Sequence, residues 1–281
     1  MRFVESWYFY ELMARHGEYG DIVSPSGEIA LTPELQIEAD FFIAHLRGRS
    51  CVVDVGCGMG FPSLVLSPHV GYLVALDAAP GMLSRLRSHV RRLRYANMGI
   101  VRGRAAALPL AGEQFDGAAI CGTLGSVAEP NRLLSELRRV MQPGGLVSCV
   151  AENFAHKLVA DEGKDFRWFR MMEGQLSLQV IEYLRDPYRM RDYRYIIREN
   201  CELYRVLRAE HEGSLCWREE TRKKPENLPP EIIAEVLYDE AMMFDPATLE
   251  EAFESAGFSL LSLELRRHFP VEHIFSTFDR A

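Results

Sequence analysis

Short apolar segments alternate with amphipathic segments through the first half of this chain of 281 residues. Glycine or polar residues bound each apolar segment, as is typical of strands buried on both faces of a parallel sheet. These segments span residues 51–55, 71–77, 99–101, 115–121 and 145–151. The stretches between them have room for helices, and strands that alternate with helices predict a doubly wound α/β fold with right-handed crossovers.

Local start signals indicate where the helices begin. Thr32-Pro33 combines an N-cap residue with a proline at the first helical position, and Asp245-Pro246 repeats the signal near the end of the chain. A further helix is expected to begin near Pro80, and residues 131–141 have helical spacing. Two β-rich runs close the chain and complete a mostly parallel, seven-stranded sheet: residues 258–265 and 271–278.

The alternation of strands and helices stops between residues 156 and 243, which predicts an insertion after the fifth strand. Residues 49–155 and 244–281 then form the α/β core, and residues 1–48 form an N-terminal helical cap. Because the insertion is rich in tyrosine and arginine, we expect it to be a lid that supplies the substrate pocket.

Composition narrows the class of protein. The formal net charge of −8 argues against a surface that follows a polyanion along its whole length. The six cysteines are widely scattered, and neither they nor the eight histidines form a zinc spacing, so we expect reduced thiols and no metal site. No signal peptide and no apolar stretch of roughly 20 residues is present, which predicts a soluble, cytoplasmic protein without a membrane span.

A glycine-rich turn follows the first strand, where the sequence reads Val-Asp-Val-Gly-Cys-Gly-Met-Gly over residues 53–60. Glycines at a strand-to-helix turn let backbone approach a ligand closely, because no side chain stands in the way. A dinucleotide fingerprint needs a glycine at position 61, where this chain has Phe61, and no Gly-Lys-Ser/Thr phosphate loop is present. The spacing therefore favours a different nucleoside cofactor.

Four segments in this order resemble the class I S-adenosylmethionine-dependent methyltransferases, particularly the broad branch that includes the ubiquinone and menaquinone C-methyltransferases. Residues 52–60 are similar to the family's first motif, and residues 73–77 to its second strand with the terminal acid. Residues 107–116 resemble its LPF…FD segment, and residues 137–145 its RVLKPGG motif. The resemblance covers about residues 50–150 and, more loosely, residues 245–281, and it implies the Rossmann-like methyltransferase fold.

This resemblance implies S-adenosylmethionine as the cofactor and a role for individual residues. Asp77 would bind both ribose hydroxyls through its two carboxylate oxygens, and Asp54 would order the glycine loop. Arg104 and Ala105 would lie at the edge of the adenine ring. Arg104 departs from the family pattern, which has aspartate there, and an arginine cannot accept a hydrogen bond from the adenine amine, whereas the backbone N–H of Ala105 could still serve the ring. The other residues with an implied role at the cofactor are Gly56, Cys57, Gly58 and Gly60 in the loop, Ala78 and Met82 at the adenine, and Cys121 beneath the methionine portion. The alternative interpretation is that Asp77 only caps its strand and that Cys121 is only a small buried residue.

The acceptor site is less constrained, because methyl transfer needs alignment and exclusion of water more than it needs a catalytic group. His156, after the fifth strand, is the candidate general base if the acceptor must lose a proton; the alternative is a structural histidine. In the insertion, arginines alternate with tyrosines in a way that would suit an anionic, partly aromatic acceptor or the bases of RNA. These arginines are Arg185, Arg189, Arg191, Arg194 and Arg198. Acidic neighbours, among them Asp186, favour a solvated face instead.

We therefore predict an enzyme that transfers a methyl group from S-adenosylmethionine to a small-molecule acceptor. The first alternative is an RNA or protein methyltransferase, against which the net charge of −8 argues. The second alternative is a scaffold protein that binds S-adenosylmethionine without turning it over. We expect a small-molecule substrate and no nucleic-acid partner.

Overall fold

Thirteen strands and eight helices make up the structure, a computed structural model that describes residues 1–16, 21–172, 174–185, 187–214, 216–268 and 271–281. Asp186, named above, lies outside these residues. The strands are β1 (Arg2–Phe3), β2 (Cys51–Val55), β3 (Tyr72–Asp77), β4 (Met98–Arg102), β5 (Phe115–Cys121), β6 (Met141–Glu152), β7 (Arg167–Met172), β8 (Gln175–Arg185), β9 (Tyr188–Ile197), β10 (Trp217–Glu220), β11 (Ile233–Met242), β12 (Phe258–His268) and β13 (Val271–Arg280). The helices are α1 (Ser6–His16), α2 (Pro33–Leu46), α3 (Ser63–Leu66), α4 (Pro80–Leu93), α5 (Pro130–Val140), α6 (Phe154–Ala160), α7 (Glu202–Glu210) and α8 (Pro246–Ser255).

The first sheet has seven strands in the order β12-β13-β6-β5-β2-β3-β4. Strands β2 to β6 pair in parallel, while β13 runs antiparallel to β6 and to β12. The order reverses beside β2, and ligands of open α/β sheets bind at the carboxyl ends of the strands next to such a reversal. The predicted seven-stranded, mostly parallel sheet is confirmed.

The caps read from the sequence hold two of the core helices. The side chain of Thr32 accepts a hydrogen bond from Leu35 N at 3.3 Å, so α2 begins where the Thr-Pro signal placed it. Asp245 and Thr248 form a reciprocal capping box at the start of α8. Such caps are each worth about 0.5–2 kcal/mol and are local in sequence, which is why they could be read without the fold.

Apolar side chains cover both faces of this sheet. On one face Leu133, Leu134 and Leu137 of α5 are fully buried, and on the other Phe42 of α2 is fully buried. Burying each such side chain stabilises the fold by about 1.5–3 kcal/mol. The core therefore fixes the strand ends, and with them the loops that follow β2, β3 and β5.

The segment predicted as an insertion contains a second sheet that sequence reasoning did not predict. Six strands lie in the order β1-β11-β9-β8-β7-β10, antiparallel throughout except that β1 pairs in parallel with β11. Strand β9 carries polar side chains on both faces: Asp192 and Arg194 on one, arginines and tyrosines on the other. The apolar/polar alternation that marks a half-buried strand is therefore weak in this region.

The N-terminal region divides between the two sheets. Strand β1 belongs to the second sheet, whereas α1 packs on α4 of the core. The helical cap predicted for residues 1–48 thus contains two helices and one short strand. Among the described residues, no helix is long and apolar enough to cross a membrane.

Candidate active site

The glycine loop after β2 adopts backbone conformations that need glycine. Gly56 has a φ of +78°, and a Cβ there would lie 2.0 Å from the Oγ1 of Thr123. Gly58 has a φ of +51°, with open space where its Cβ would stand. The loop is therefore tight against the turn after β5 at Gly56 and open toward the adjacent cavity at Gly58.

Asp77 ends β3, and each of its carboxylate oxygens accepts a backbone hydrogen bond, one of them from the glycine loop. Its Oδ2 accepts a hydrogen bond from Gly58 N at 2.9 Å, and its Oδ1 accepts one from Ala79 N at 2.8 Å. Burial raises the pKa of the Asp77 carboxyl, the backbone amides oppose that rise, and the nearby Glu11 carboxylate adds to it. Each carboxylate oxygen has a second acceptor position, so Asp77 can bind a diol without releasing the loop.

Asp54 lies beneath the loop and is fully buried. Its Oδ2 accepts hydrogen bonds from the backbone N–H and the hydroxyl of Ser63, at 3.1 and 2.6 Å. Burial raises the pKa of Asp54 to about 7. Asp54 therefore connects the loop to α3, in keeping with the ordering role expected for it.

A cavity of about 630 Å³ lies at the carboxyl ends of β2, β3 and β5, within the roughly 300–1,000 Å³ range of ligand pockets. We call it the pocket. Nine of the eleven residues assigned to the cofactor line it: Gly56, Cys57, Gly58, Asp77, Ala78, Met82, Arg104, Ala105 and Cys121. The other two, Asp54 and Gly60, do not line the pocket; a Cβ on Gly60 would lie 2.7 Å from Leu64.

The sequence predicts an N-terminal helical cap over the site, but it did not single out the residues of that region that line the pocket. They are Phe3, Glu5, Ser6, Trp7, Tyr10, Ile22 and Leu35, and after β5 the lining includes Gly122, Thr123 and residues 126–129. The aromatic content of residues 1–16 was visible in the sequence. The sequence does not show where these aromatic side chains pack, because their contacts join residues about a hundred positions apart.

Arg104 forms an ion pair that the family pattern, with aspartate at this position, does not predict. Its guanidinium forms an ion pair with Glu5, and the indole of Trp7 donates a hydrogen bond to the same carboxylate at 3.0 Å. All three side chains line the pocket. Arg104 therefore joins the loop after β4 to the N-terminal region at the pocket wall.

Three further polar contacts dock α1 onto the core. The Ser6 hydroxyl donates to the carbonyl of Ser126, and the Tyr10 hydroxyl lies 3.1 Å from the Ser126 Oγ. The Glu11 carboxylate accepts a hydrogen bond from Gly81 N at 2.5 Å, in the first turn of α4. Because Ala79, the N-cap residue of α4, makes no side-chain cap, Glu11 supplies the missing acceptor at the positive end of that helix.

The second sheet backs α1, and among the described residues only its strand β1 contributes to the pocket lining, through Phe3. The guanidinium of Arg194 lies 3.7 Å above the ring of Phe9, and Phe9 packs with Ile196 and Leu237. Among the described residues, none between 156 and 243 lines the pocket. His156 is on α6 and is not brought together with the other candidate residues, so its role as a general base stays a prediction.

The five arginines singled out in the insertion each have a partner within the chain. Arg189 and Arg191 both pair with Glu240, and Arg185 lies 3.9 Å from Glu162. Arg198 donates to the carbonyl of Glu231 at 3.1 Å, and Arg194 pairs with Asp192 at 3.2 Å. The carboxylates of Glu240, Glu162 and Asp192 thus balance three of these five positive charges within the chain.

Cys121 lies at the floor of the pocket, where β5 ends. Its thiol donates to the Glu38 carboxylate at 3.3 Å, and burial raises its pKa well above the usual value. The thiol is therefore protonated and is not a nucleophile. Among the described residues, no group of three or more His, Cys, Asp or Glu side chains could hold a metal ion.

Comparison with known proteins identifies the family to which this chain belongs. Residues 53–149 match the model of a methyltransferase domain family. The demethylmenaquinone methyltransferase of Shouchella clausii is 36% identical over 166 residues, which are 51% of this chain and 70% of that protein. The demethylmenaquinone methyltransferase of Symbiobacterium thermophilum is 33% identical over 110 residues, so this match spans 44% of that relative's length.

A solved structure extends the likeness to the whole chain at the level of the fold. The CcbJ methyltransferase from Streptomyces caelestis superposes with a TM-score of 0.63 at 15% identity, covering 99% of this chain and 100% of that one.

Proposed function

Since this chain belongs to the class I S-adenosylmethionine-dependent methyltransferases, we propose that it methylates a small, largely apolar molecule that binds in the pocket beneath α1. One observation carries the proposal: a single cavity runs from Asp77 and the glycine loop to the aromatic side chains of Trp7 and Tyr10. A cavity of that composition offers a polar end for a nucleoside and an apolar end for an acceptor.

The residues of the pocket fit the cofactor. S-adenosylmethionine supplies a methyl group on a positively charged sulfur, ready for in-line displacement. Asp77 presents a carboxylate for the ribose diol, and Ala78 and Met82 give an apolar wall for the adenine. Gly58, with open space where a Cβ would stand, leaves room for the amino-acid end.

The rest of the pocket aligns the acceptor and excludes water. The Glu5–Arg104 ion pair and the contacts of Ser6 and Tyr10 to Ser126 close α1 over both sides of the cavity. Exclusion of water strengthens the electrostatic interactions within the pocket and holds the reactants close together. The chain's own contribution to catalysis is then mostly alignment.

The names of the relatives indicate a class of acceptor. They methylate demethylmenaquinone, and the aromatic residues of the pocket suit an apolar ring compound of that general kind. Their similarity covers about half of this chain, and the N-terminal and inserted segments would set the particular ring that is accepted.

The experiment combines a cofactor titration with a search for product. We expect calorimetry to show binding of S-adenosylhomocysteine and no binding of NAD. Replacing Asp77 with Ala should weaken the nucleoside by about 2–4 kcal/mol, roughly 30- to 1,000-fold, because a bidentate charged acceptor is lost. Incubation with S-adenosylmethionine and a panel of reduced naphthoquinones and phenols should yield a product heavier by one methyl group. Binding of NAD in place of the sulfur nucleoside would refute the assignment.

A further inference from the structure

Tyr10 lies over the part of the pocket where the carboxyl ends of several strands converge. The carboxylates that face it belong to Asp77 at the end of β3, Glu152 at the end of β6 and Asp239 on β11. It lines the pocket together with Cys121, the last residue of β5. Substrates of open α/β folds bind over this edge of the sheet, so Tyr10 is placed to touch an acceptor.

The hydrogen bonds around Tyr10 fix the direction of its hydroxyl. The Ser126 Oγ lies 3.0 Å from the carbonyl oxygen of Gly122, and a carbonyl can only accept, so the Ser126 proton points at Gly122. In the contact of 3.1 Å between Tyr10 and Ser126, Tyr10 must then donate. A phenol that donates its proton in this way presents the oxygen to further partners as an acceptor.

The surroundings keep the phenol protonated. Burial is the main cause that raises the pKa of Tyr10, and the carboxylates of Asp239, Glu152 and Asp77 raise it further, while the hydrogen bond with Ser126 opposes the rise. Tyr10 is thus a neutral group near pH 7 and does not act as a base. Its chemistry is to orient a partner that can donate a hydrogen.

Resting on the function proposed above, we infer that Tyr10 selects methyl acceptors that carry an O–H or N–H group, by accepting a hydrogen bond from that group. The selection depends on two features of the chain. Docking of α1 brings Tyr10 to the pocket, and Ser126 holds the Tyr10 proton away from the acceptor. A molecule of the same shape without the donor leaves the phenol oxygen without that bond and binds less well.

The test compares two probes of nearly the same shape that differ in one donor: 2-naphthol and 2-fluoronaphthalene, in which fluorine replaces the hydroxyl. Their affinities are measured by fluorescence titration of the full chain in the presence of saturating S-adenosylhomocysteine. The wild-type protein should prefer 2-naphthol by about tenfold, as expected for one hydrogen bond of roughly 1.4 kcal/mol. In Tyr10→Phe the ratio of the two affinities should fall to within about twofold, while S-adenosylhomocysteine binds as before.

Tyr8→Phe is the matched control, because Tyr8 is on the same helix and does not line the pocket. It should keep the wild-type ratio. Ser126→Ala retains the Tyr10 hydroxyl but removes the group that fixes its direction, and should reduce the preference severalfold. This second variant keeps the inference testable if Tyr10→Phe folds poorly.

The outcomes separate this inference from the proposed function. A wild-type protein without any preference for 2-naphthol, or a preference that persists in Tyr10→Phe, overturns the role given to Tyr10. A wild-type protein that fails to bind S-adenosylhomocysteine overturns the proposed function instead.

Discussion

Replacing Glu11 with Ala is expected to loosen α1 from the core. Glu11 is 5% exposed, and its carboxylate is the acceptor for Gly81 N in the first turn of α4. Without it, that amide has no side-chain acceptor from α1, and the helix loses one of the three polar contacts that hold it over the pocket. The remaining two are the Glu5–Arg104 ion pair and the contacts to Ser126.

The expected magnitude follows from the geometry of this contact. A hydrogen bond to a charged group is worth about 1.5–3 kcal/mol, and a carboxylate at a helix N-terminus adds about 0.3–1 kcal/mol. Glu11 also repels Asp77, since it raises the pKa of that carboxyl, and removing it relieves this repulsion. A net loss of about 2 kcal/mol should raise the population with α1 undocked by roughly thirtyfold.

Hydrogen exchange measures that population directly, because the amides of residues 6–16 exchange when α1 opens. Their protection should fall by roughly thirtyfold in Glu11→Ala, while the amides of β2 and β5 keep theirs. Arg15→Ala is the control: Arg15 pairs with the same carboxylate at 2.8 Å but is 53% exposed. An exposed pair of this kind contributes at most about 1 kcal/mol. Unchanged protection of α1 in Glu11→Ala would show that the carboxylate does not hold the helix.

Two further predictions concern the second sheet. Burial, and to a smaller extent the charge of Asp192, raise the pKa of Asp239 to about 7. The contribution of Asp239 to stability is therefore fully present below about pH 4 and is lost as the pH rises through 7. Between pH 4 and 8 the free energy of unfolding should fall by at most about 4 kcal/mol on account of Asp239. In Asp239→Asn, urea unfolding should show a correspondingly smaller fall over the same pH range. The same pH dependence in the variant as in the wild type would contradict this. Because Arg189 and Arg191 are paired with Glu240, a titration with single-stranded RNA should show little binding. A log–log salt slope near −0.7 per phosphate for several phosphates, abolished by exchanging both arginines for Gln, would instead favour an RNA methyltransferase.

The parts that the sequence predicted well depend on neighbours along the chain. Strand β5 spans the same residues, 115–121, as the apolar run, and α2 begins directly after Thr32, whose side chain bonds a backbone amide three residues further on. The glycine loop and Asp77 were recognisable because the loop directly follows β2 and Asp77, 19 positions beyond Gly58, ends the next strand. In these segments the sequence pattern and the local backbone structure agree, so they could be predicted without knowledge of the tertiary packing.

The parts that sequence reasoning missed depend on distant partners. Arg104 was expected at the adenine edge, but its ion pair is with Glu5, 99 positions earlier in the chain. The contact between Tyr10 and Ser126 spans 116 positions. No periodicity encodes such pairs, since either side chain alone is consistent with an ordinary exposed surface.

The position of α1 makes the closure of the pocket depend on both sheets. Strand β1 pairs with β11 through Arg2 and Phe3, while Glu11, eight positions beyond Phe3, caps a helix of the core. Four of the residues between these two attachments line the pocket: Glu5, Ser6, Trp7 and Tyr10. A shift of the second sheet relative to the core must therefore move these side chains, because the chain that carries them is attached to both. The insertion can influence the acceptor without touching it, and substitutions between α1 and the second sheet, at Phe9 or Arg194, should alter acceptor binding more than cofactor binding.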